Sequence, residues 1–163
     1  MGDKTIRRKV EAEYRKQIAG KKVVSLSEFR DLNREVELGT ILVVDDEEIQ
    51  RNGLKRILTS EGFQVVLASD GLELAKHIEN TRFDLILLDV NLPWVDGYEL
   101  CRMIKSHPST TKVPVVFVSA RQSKEDMDKA FSVGAADLIT KPYDVSSMVA
   151  SVSKLVKVAD VFA

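Results

Sequence analysis

Short apolar runs alternate with amphipathic stretches along the chain from Gly39 onward. The apolar runs are rich in β-branched residues, as buried strands are, and they cover residues 41–44, 65–67, 85–88, 115–118 and 138–139. Helical periodicity lies between and after them, over residues 48–60, 71–80, 97–106, 123–133 and 144–158. Because the strands are apolar on both faces, helices should cover both sides of a parallel sheet. The pattern therefore predicts a doubly wound α/β domain with a five-stranded parallel sheet.

Residues with special backbone preferences stand at the predicted boundaries. Gly62 and Gly134 should end the first and fourth helices, and Pro114 should begin the fourth strand. Asp96 and Gly97 should form the turn into the third helix. The last helix has the clearest apolar face, made of Val145, Met148, Val149, Val152, Leu155, Val156 and Ala159.

Residues 1–38 have a different pattern. Two thin apolar stripes at helical spacing are formed by Ile6, Val10, Tyr14 and Ile18, and by Phe29, Leu32 and Val36. We therefore predict a helical extension over residues 1–38, followed by a domain over residues 39–160. Residues 1–22 hold eight Lys/Arg and three Asp/Glu, which a solvated helix face explains most simply. The alternative is a docking surface for an acidic partner or for nucleic acid, of which nucleic acid is the less favoured. The extension could serve as a linker, a dimerisation element or a lid.

The overall charge is nearly balanced, so no bulk attraction to nucleic acid or to a membrane surface is expected. The chain has 163 residues with 24 basic and 25 acidic side chains, which gives a net charge of −1. Cys101 is the only cysteine in the sequence, which excludes an internal disulfide and a multi-thiolate metal site. No apolar run approaches the roughly 18 residues that a membrane span needs. The predicted compartment is the cytoplasm.

Polar and charged residues follow four of the predicted strands. Asp45 and Asp46 follow the first strand, Asp89 the third, Ser119 the fourth and Lys141 the fifth. Ligands of an open parallel sheet bind at these carboxyl ends. Each residue alone has an ordinary explanation as a helix cap, a turn residue, a strand-end hydroxyl or a surface charge. Gathering three carboxylates at one edge costs several kcal/mol unless a cation joins them, so we interpret the set as functional.

The chemistry of these side chains favours magnesium and a phosphoryl group. Carboxylate oxygens without a cluster of His or Cys suit Mg²⁺, which retains water ligands and commonly bridges to phosphate. A carboxylate can itself be the nucleophile and form an aspartyl phosphate, while metal and lysine neutralise charge on the transferred oxygens. Asp89, on the central strand beside the first, is the predicted phosphoacceptor.

The motifs at these strand ends resemble the response-regulator receiver domain of two-component signalling. The matching segments are VVDDE at 43–47, LLDVNLP at 87–93 with Asp96 and Gly97, VSA at 118–120, GAAD at 134–137 and KPY at 141–143. The resemblance covers about residues 40–158 and implies a flavodoxin-like fold with strand order 2-1-3-4-5. It also implies a signalling phosphoacceptor that is not a turnover enzyme acting on an external substrate.

The resemblance implies a set of metal ligands. Asp46 and Asp89 would bind Mg²⁺ directly together with the backbone carbonyl of Asn91, and Asp45 would contribute through water. Asp89 would attack the phosphorus.

Three further residues would contact the phosphoryl group by the same resemblance. Ser119 would hydrogen-bond one phosphoryl oxygen with help from the Ala120 N–H, and Lys141 would pair with another. Pro142 would follow a cis peptide bond that orients the lysine.

The resemblance also implies partners. The phosphoryl donor would be a phosphohistidine on a sensor histidine kinase or a phosphotransfer protein, and the domain would catalyse its own phosphorylation and slow hydrolysis. A downstream protein would bind the face formed by the fourth helix, fifth strand and fifth helix. A homodimer is a further possibility, whereas direct contact with nucleic acid or a membrane is not expected.

Leu138 departs from the family pattern. Three residues before the lysine, the family commonly has an aromatic that turns inward when the Ser/Thr moves toward phosphate. We therefore expect phosphorylation to shift Ser119 and the output to be carried by backbone motion and packing, as a population shift.

Three other functions fit these motifs less well. A phosphohydrolase would carry Asp-x-Asp-x-Thr/Val after its first strand, which Asp45–Glu48 lacks. A nucleotide-binding protein would carry a Gly-rich dinucleotide turn or a P-loop after a strand, and neither follows any predicted strand. A degenerate receiver that acts only as a protein-interaction module is the remaining alternative, although such a domain usually lacks the acids or the lysine.

Overall fold

The structure is a computed structural model that describes residues 38–156 together with Arg8 and Ala12. Its strands are β1 Thr40–Val44, β2 Gln64–Ala68, β3 Leu85–Leu88, β4 Val115–Ser119 and β5 Asp137–Thr140. The helices of residues 38–156 are α1 Glu48–Ser60, α2 Gly71–Asn80, α3 Gly97–Ser106, α4 Lys124–Ser132 and α5 Val145–Leu155. The predicted helical extension over residues 1–38 lies outside the described residues, apart from Arg8, Ala12 and Leu38.

All strand pairs are parallel, and the sheet order is β2-β1-β3-β4-β5. Val44 at the end of β1 is level with Ala68 of β2 and Leu88 of β3, and Ser119 of β4 is level with Thr140 of β5. The carboxyl ends of the strands therefore meet along one edge of the sheet. The predicted fold class and strand order are confirmed.

The alternation of side chains along the central strands produces two apolar cores, one on each face of the sheet. Leu42, Val44, Ile86 and Leu88 pack with residues of α2, α3 and α4. Ile41, Val43, Leu85 and Leu87 pack on the other face with residues of α1 and α5. Burial of each such side chain contributes about 1.5–3 kcal/mol, so this pattern fixes the sheet between two helical layers.

The helix boundaries follow local signals. Asp70, Asp96 and Asp144 accept backbone N–H bonds at the starts of α2, α3 and α5, and Ser123 forms a capping box with Asp126 at the start of α4. Gly62 and Gly134 have positive φ angles, 101° and 95°, just after α1 and α4 as predicted. The side-chain hydrogen bonds at these starts explain why the boundaries could be found from the sequence.

The end of α5 differs from the prediction. The helix stops at Leu155, because Val156 has an extended backbone, and Val156 is buried in the core that α1 and α5 cover. Val145 was assigned to the apolar face of this helix, but it is 45% exposed. It occupies the first position of α5, at the helix end and away from the core that holds Met148, Val149 and Val152.

Cys101 of α3 is fully buried, as expected for a small apolar side chain. Its Sγ lies 3.6 Å from the Val133 carbonyl oxygen, and burial raises the pKa of its thiol to about 11. The side chain belongs to the core between α3 and α4.

Candidate functional site

Three carboxylates meet at the carboxyl end of the sheet. Asp45 and Asp46 follow β1, and Asp89 follows β3. One oxygen from each lies within 4.8 Å of the other two. Asp45 and Asp89 are buried, whereas Asp46 is exposed. The structure therefore brings the three predicted acids together, two of them in a setting where their charge needs compensation.

Asp45 makes hydrogen bonds through its backbone N–H, its carbonyl oxygen and its side chain. Its N–H donates to the Ala68 carbonyl at 3.3 Å, and its Oδ1 accepts the Glu47 N–H at 2.9 Å. The Arg51 guanidinium donates from Nη1 to the Asp45 carbonyl oxygen at 2.7 Å. The ordinary explanation of these acids as helix caps holds only in part, because the cap residue Glu47 makes no side-chain cap bond.

Asp89 is held by its own loop. Its N–H donates to the Val44 carbonyl at 3.0 Å, and its Oδ1 accepts the Asn91 N–H at 3.1 Å. Burial is the largest influence on Asp89 and raises its pKa, while the Asn91 N–H and the Lys141 ammonium offset this only in part. The carboxyl group is therefore partly desolvated, with the Asn91 N–H and the Lys141 ammonium as its partners.

Gly97, at the start of α3, packs against the loop that follows β3. Its N–H donates to the Val90 carbonyl at 3.0 Å. A Cβ at this position would lie 2.5 Å from the Asp89 carbonyl oxygen and 2.6 Å from the Val90 Cα, so only glycine allows this approach. The start of α3 is thus packed directly against the backbone of Asp89.

Lys141 lies between the two buried acids. Its Nζ is 3.3 Å from Asp45 Oδ2 and 3.4 Å from Asp89 Oδ2. Burial alone would lower the pKa of Lys141, but the two carboxylates together raise it above its usual value. The Lys141–Pro142 peptide bond is cis, as the family resemblance implied.

Ser119 is fully buried at the end of β4, and the backbone joins it to the lysine. The Lys141 N–H donates to the Ser119 carbonyl at 2.8 Å, and Ser119 Oγ accepts the Arg121 N–H at 3.1 Å. Ala120 is exposed at the same edge. The predicted hydroxyl therefore lies on the strand next to the lysine, while its contact with a phosphoryl oxygen stays a prediction.

Two features of the site were missed by the sequence interpretation. Arg51 lies on α1, five residues after Asp46. An arginine at this position is also common on an exposed helix surface, so it gave no signal of a role in the site. Tyr98 is buried at the start of α3, where its ring packs against Phe117 with centroids 5.2 Å apart. Lys129 of α4 lies 4.5 Å above the same ring. The sequence shows the charged and aromatic residues at these positions. It does not show their contacts, because these join different helices and strands whose relative orientation periodicity does not give.

The donor set fits a hard divalent cation. All candidate ligand atoms are carboxylate oxygens, and Mg²⁺ prefers such oxygens and retains several waters. Exposed Asp46 leaves one side of the cluster open to solvent, where waters or a phosphoryl group could complete the coordination. The residues are therefore suited to magnesium.

Comparison with known proteins decides the family. Residues 41–153 match the family model described as the response regulator receiver domain. The chain belongs to this family. Receiver domains are signalling proteins that work with histidine kinases and downstream effectors, and they bind Mg²⁺ at an acidic pocket such as the one formed here by three aspartates.

Two curated relatives are longer proteins that match this receiver domain over part of their length. It is 36% identical over 117 residues to response regulator MprA of Mycobacterium sp. (strain KMS), covering 72% of this chain and 50% of that protein. It is 38% identical over 117 residues to response regulator PleD of Caulobacter vibrioides (strain NA1000 / CB15N), covering 72% of this chain and 26% of that protein. The chain therefore spans half or less of the length of these two relatives.

Solved structures share the fold of this receiver domain. The signal receiver domain of a signal transduction histidine kinase from Syntrophus aciditrophicus is 34% identical, with a TM-score of 0.67 over 77% of this chain and 95% of that one. Among the residues described here, no helix is both long and apolar enough to cross a membrane.

Proposed function

We propose that this receiver domain accepts a phosphoryl group on Asp89 and signals through the resulting change in conformation. The observation that carries the proposal is the position of Lys141, whose Nζ lies within 3.4 Å of both Asp45 and Asp89. A half-buried lysine paired to two acids at a ligand-binding edge is arranged to neutralise charge on a group attached to one of them.

The reaction transfers phosphorus from nitrogen to oxygen. A carboxylate oxygen of Asp89 attacks the phosphorus of a phosphohistidine, an O–P bond forms, and the P–N bond to the donor imidazole breaks. The donor nitrogen keeps the bonding electron pair and takes a proton from solvent. Asp89 must be ionised to attack, and the Asn91 N–H and Lys141 favour its charged form against the effect of burial.

Asp45, Asp46 and Asp89, with the backbone carbonyl of Asn91, would hold Mg²⁺. When bound, the metal neutralises charge on the phosphoryl oxygens. Lys141 lies within 3.4 Å of Asp45 and Asp89, and its ammonium favours the charged form of Asp89, which the metal would need as a ligand.

Ser119 and Ala120 would donate hydrogen bonds to the phosphoryl oxygens. Ser119 Oγ accepts a bond from the Arg121 N–H, and this bond uses a lone pair of the hydroxyl. Its O–H proton can therefore be directed toward the phosphoryl group while the bond to Arg121 persists. The exposed position of Ala120 at the same edge is consistent with its N–H serving as a second donor.

The partners follow from this role. A sensor histidine kinase or a phosphotransfer protein would supply the phosphoryl group, and a downstream protein would bind the face formed by α4, β5 and α5. A solved receiver domain of sensor histidine kinase PA1611 from Pseudomonas aeruginosa PAO1, 27% identical with a TM-score of 0.66 over 72% of this chain and 97% of that one, is described as having a magnesium ion coordinated in its active site cleft. This likeness supports the metal assignment.

Incubation with acetyl phosphate and Mg²⁺ tests the proposal. Intact mass spectrometry should show one added phosphate on the wild-type chain and none on Asp89→Asn. Asp128→Asn, which removes an exposed carboxylate from α4, is the matched control and should be phosphorylated like the wild type. Equal labelling of Asp89→Asn would show that another residue is the acceptor. No labelling of the wild type with acetyl phosphate or phosphoramidate would favour the second candidate, a module that only binds proteins.

A further inference from the structure

We infer that Arg51 is a positioning residue of the metal site, because its guanidinium fixes the peptide group that joins Asp45 to Asp46. This inference rests on the proposed function, in which these two acids hold Mg²⁺. It assigns a task to a residue of α1 that stands outside the set of acids, hydroxyl and lysine described above.

The contact is short and carries charge. Arg51 Nη1 lies 2.7 Å from the Asp45 carbonyl oxygen, which is at the short end of N–H···O distances and typical of a charged donor. Arg51 is half-buried, and its own N–H donates to the Glu47 carbonyl within the start of α1. The guanidinium is therefore attached to a rigid helix and reaches back over the loop that leads into it.

The Asp45 carbonyl and the Asp46 N–H belong to one planar peptide group. Its rotation sets the direction in which Asp46 leaves the strand. Asp45 is already tied through its N–H to Ala68 and through its side chain to Glu47 and Lys141. The Arg51 bond adds the constraint on the carbonyl, and so it acts on the exposed Asp46 through the backbone.

A cation that requires near-ideal octahedral geometry is sensitive to such a constraint. Residues that orient metal ligands commonly change metal affinity by about 10- to 100-fold when they are replaced. The charge of Arg51 acts in the opposite direction, because a guanidinium near the site repels Mg²⁺. The sign of the change in affinity therefore separates a positioning residue from a merely nearby charge.

Two substitutions use this difference. Arg51→Met removes both the donor and the charge, and positioning predicts Mg²⁺ binding weaker by about 10-fold. Arg51→Lys keeps the charge and one donor group, and it should recover most of the loss. If only charge mattered, Arg51→Met would bind Mg²⁺ more tightly than the wild type. Arg56→Met is the matched control, because it removes an exposed arginine from the same helix.

Isothermal titration calorimetry of the full chain with MgCl₂ at constant ionic strength measures the Mg²⁺ affinity of the wild type and of each variant. Amide NMR spectra of the metal-free proteins provide the second measurement, and the Asp46 and Glu47 signals should move in Arg51→Met and stay in place in Arg56→Met. Weaker binding in Arg51→Met, recovery in Arg51→Lys and the shifted Asp46 amide together support the inference.

Unchanged or tighter binding by Arg51→Met would overturn the inference, as would an unmoved Asp46 amide. Failure of the wild type to bind Mg²⁺ would instead overturn the metal site of the proposed function, which distinguishes the two failures. If Arg51→Met does not fold, the comparison of Arg51→Lys with the wild type decides: lysine is shorter and lacks the planar fork, so positioning predicts an intermediate affinity and charge alone predicts no change.

Discussion

Leu138 of β5 lies directly opposite Phe117 of β4 in the parallel pairing of these strands. Phe117 is fully buried and its ring packs against Tyr98, while Ser119 follows two residues later on the same strand face. Phe117, two residues before the predicted phosphate-sensing hydroxyl, is thus paired with a leucine on the next strand and packs against a tyrosine of α3. We expect movement of Ser119 to reach α4 through this packing, because Lys129 of α4 lies over the Tyr98 ring.

Phosphorylation should change the environment of the backbone amides of residues 120–145. We expect their NMR signals to shift when acetyl phosphate and Mg²⁺ are added together, because the Lys141 N–H donates to the Ser119 carbonyl and the Arg121 N–H donates to Ser119 Oγ. Addition of Mg²⁺ alone should affect mainly the amides near the three aspartates. Unmoved amides in this range of a fully phosphorylated sample would show that output does not pass through this face.

Gly97→Ala should destabilise the domain by about 1–3 kcal/mol, the usual cost of overpacking against atoms that cannot move aside. The added methyl group would meet the backbone of Asp89 and Val90. Gly53→Ala is the control within α1, where a Cβ would meet nothing within 4 Å, and it should stabilise the domain by about 0.5–1 kcal/mol. Urea unfolding of both variants measures these differences, and equal effects would contradict the close packing of Gly97.

Asp89→Asn should increase the free energy of unfolding at pH 7. A carboxyl group whose pKa is raised on folding binds more protons in the folded chain than in the unfolded chain between the two pKa values. The free energy of unfolding of the wild type therefore falls as the pH rises through this window above about 4, where an unfolded aspartate titrates. The advantage of Asp89→Asn should accordingly shrink toward pH 3.

Unfolding curves at several pH values in the absence of Mg²⁺ test this dependence. Asp128→Asn removes an exposed carboxylate and should show little difference from the wild type across the same range. A larger advantage of Asp89→Asn at pH 3 than at pH 7 would reverse the expected sign and would indicate that the folded protein favours the charged form of Asp89.

Lys141→Met should abolish most phosphorylation and cost about 1–3 kcal/mol of stability at pH 7, because two buried carboxylates lose their cation. Mg²⁺ should restore part of this stability, since a ligand that binds the folded chain shifts the unfolding equilibrium. Lys154→Met, which removes an exposed lysine from α5, is the control. Thermal unfolding with and without Mg²⁺ measures both effects, and a Lys141→Met variant as stable as the control would contradict the pairing.

The fold and most of the site were predictable because periodic burial and strand-end residues are local properties of the sequence. Leu85–Leu88 reads as a strand buried on both faces, and Asp89 follows it at the ligand-binding edge. The Arg51 contact was not predictable, because it joins a side chain to a backbone carbonyl six residues earlier through a particular rotamer. The prediction for Val145 was wrong, since this residue is exposed at the helix start; Val156 is buried with the predicted face but lies just after the helix, because hydrophobicity does not show where a helix ends.

The burial of Cys101 makes this chain convenient for spectroscopy. With its thiol fully buried and its pKa at about 11, almost no reactive thiolate is present at neutral pH. A fluorophore or spin label with a maleimide group should therefore attach to a cysteine introduced at exposed Met127 or Phe131 and leave Cys101 unmodified. Labels on α4 could then follow the approach of a partner in real time without any change to the native cysteine.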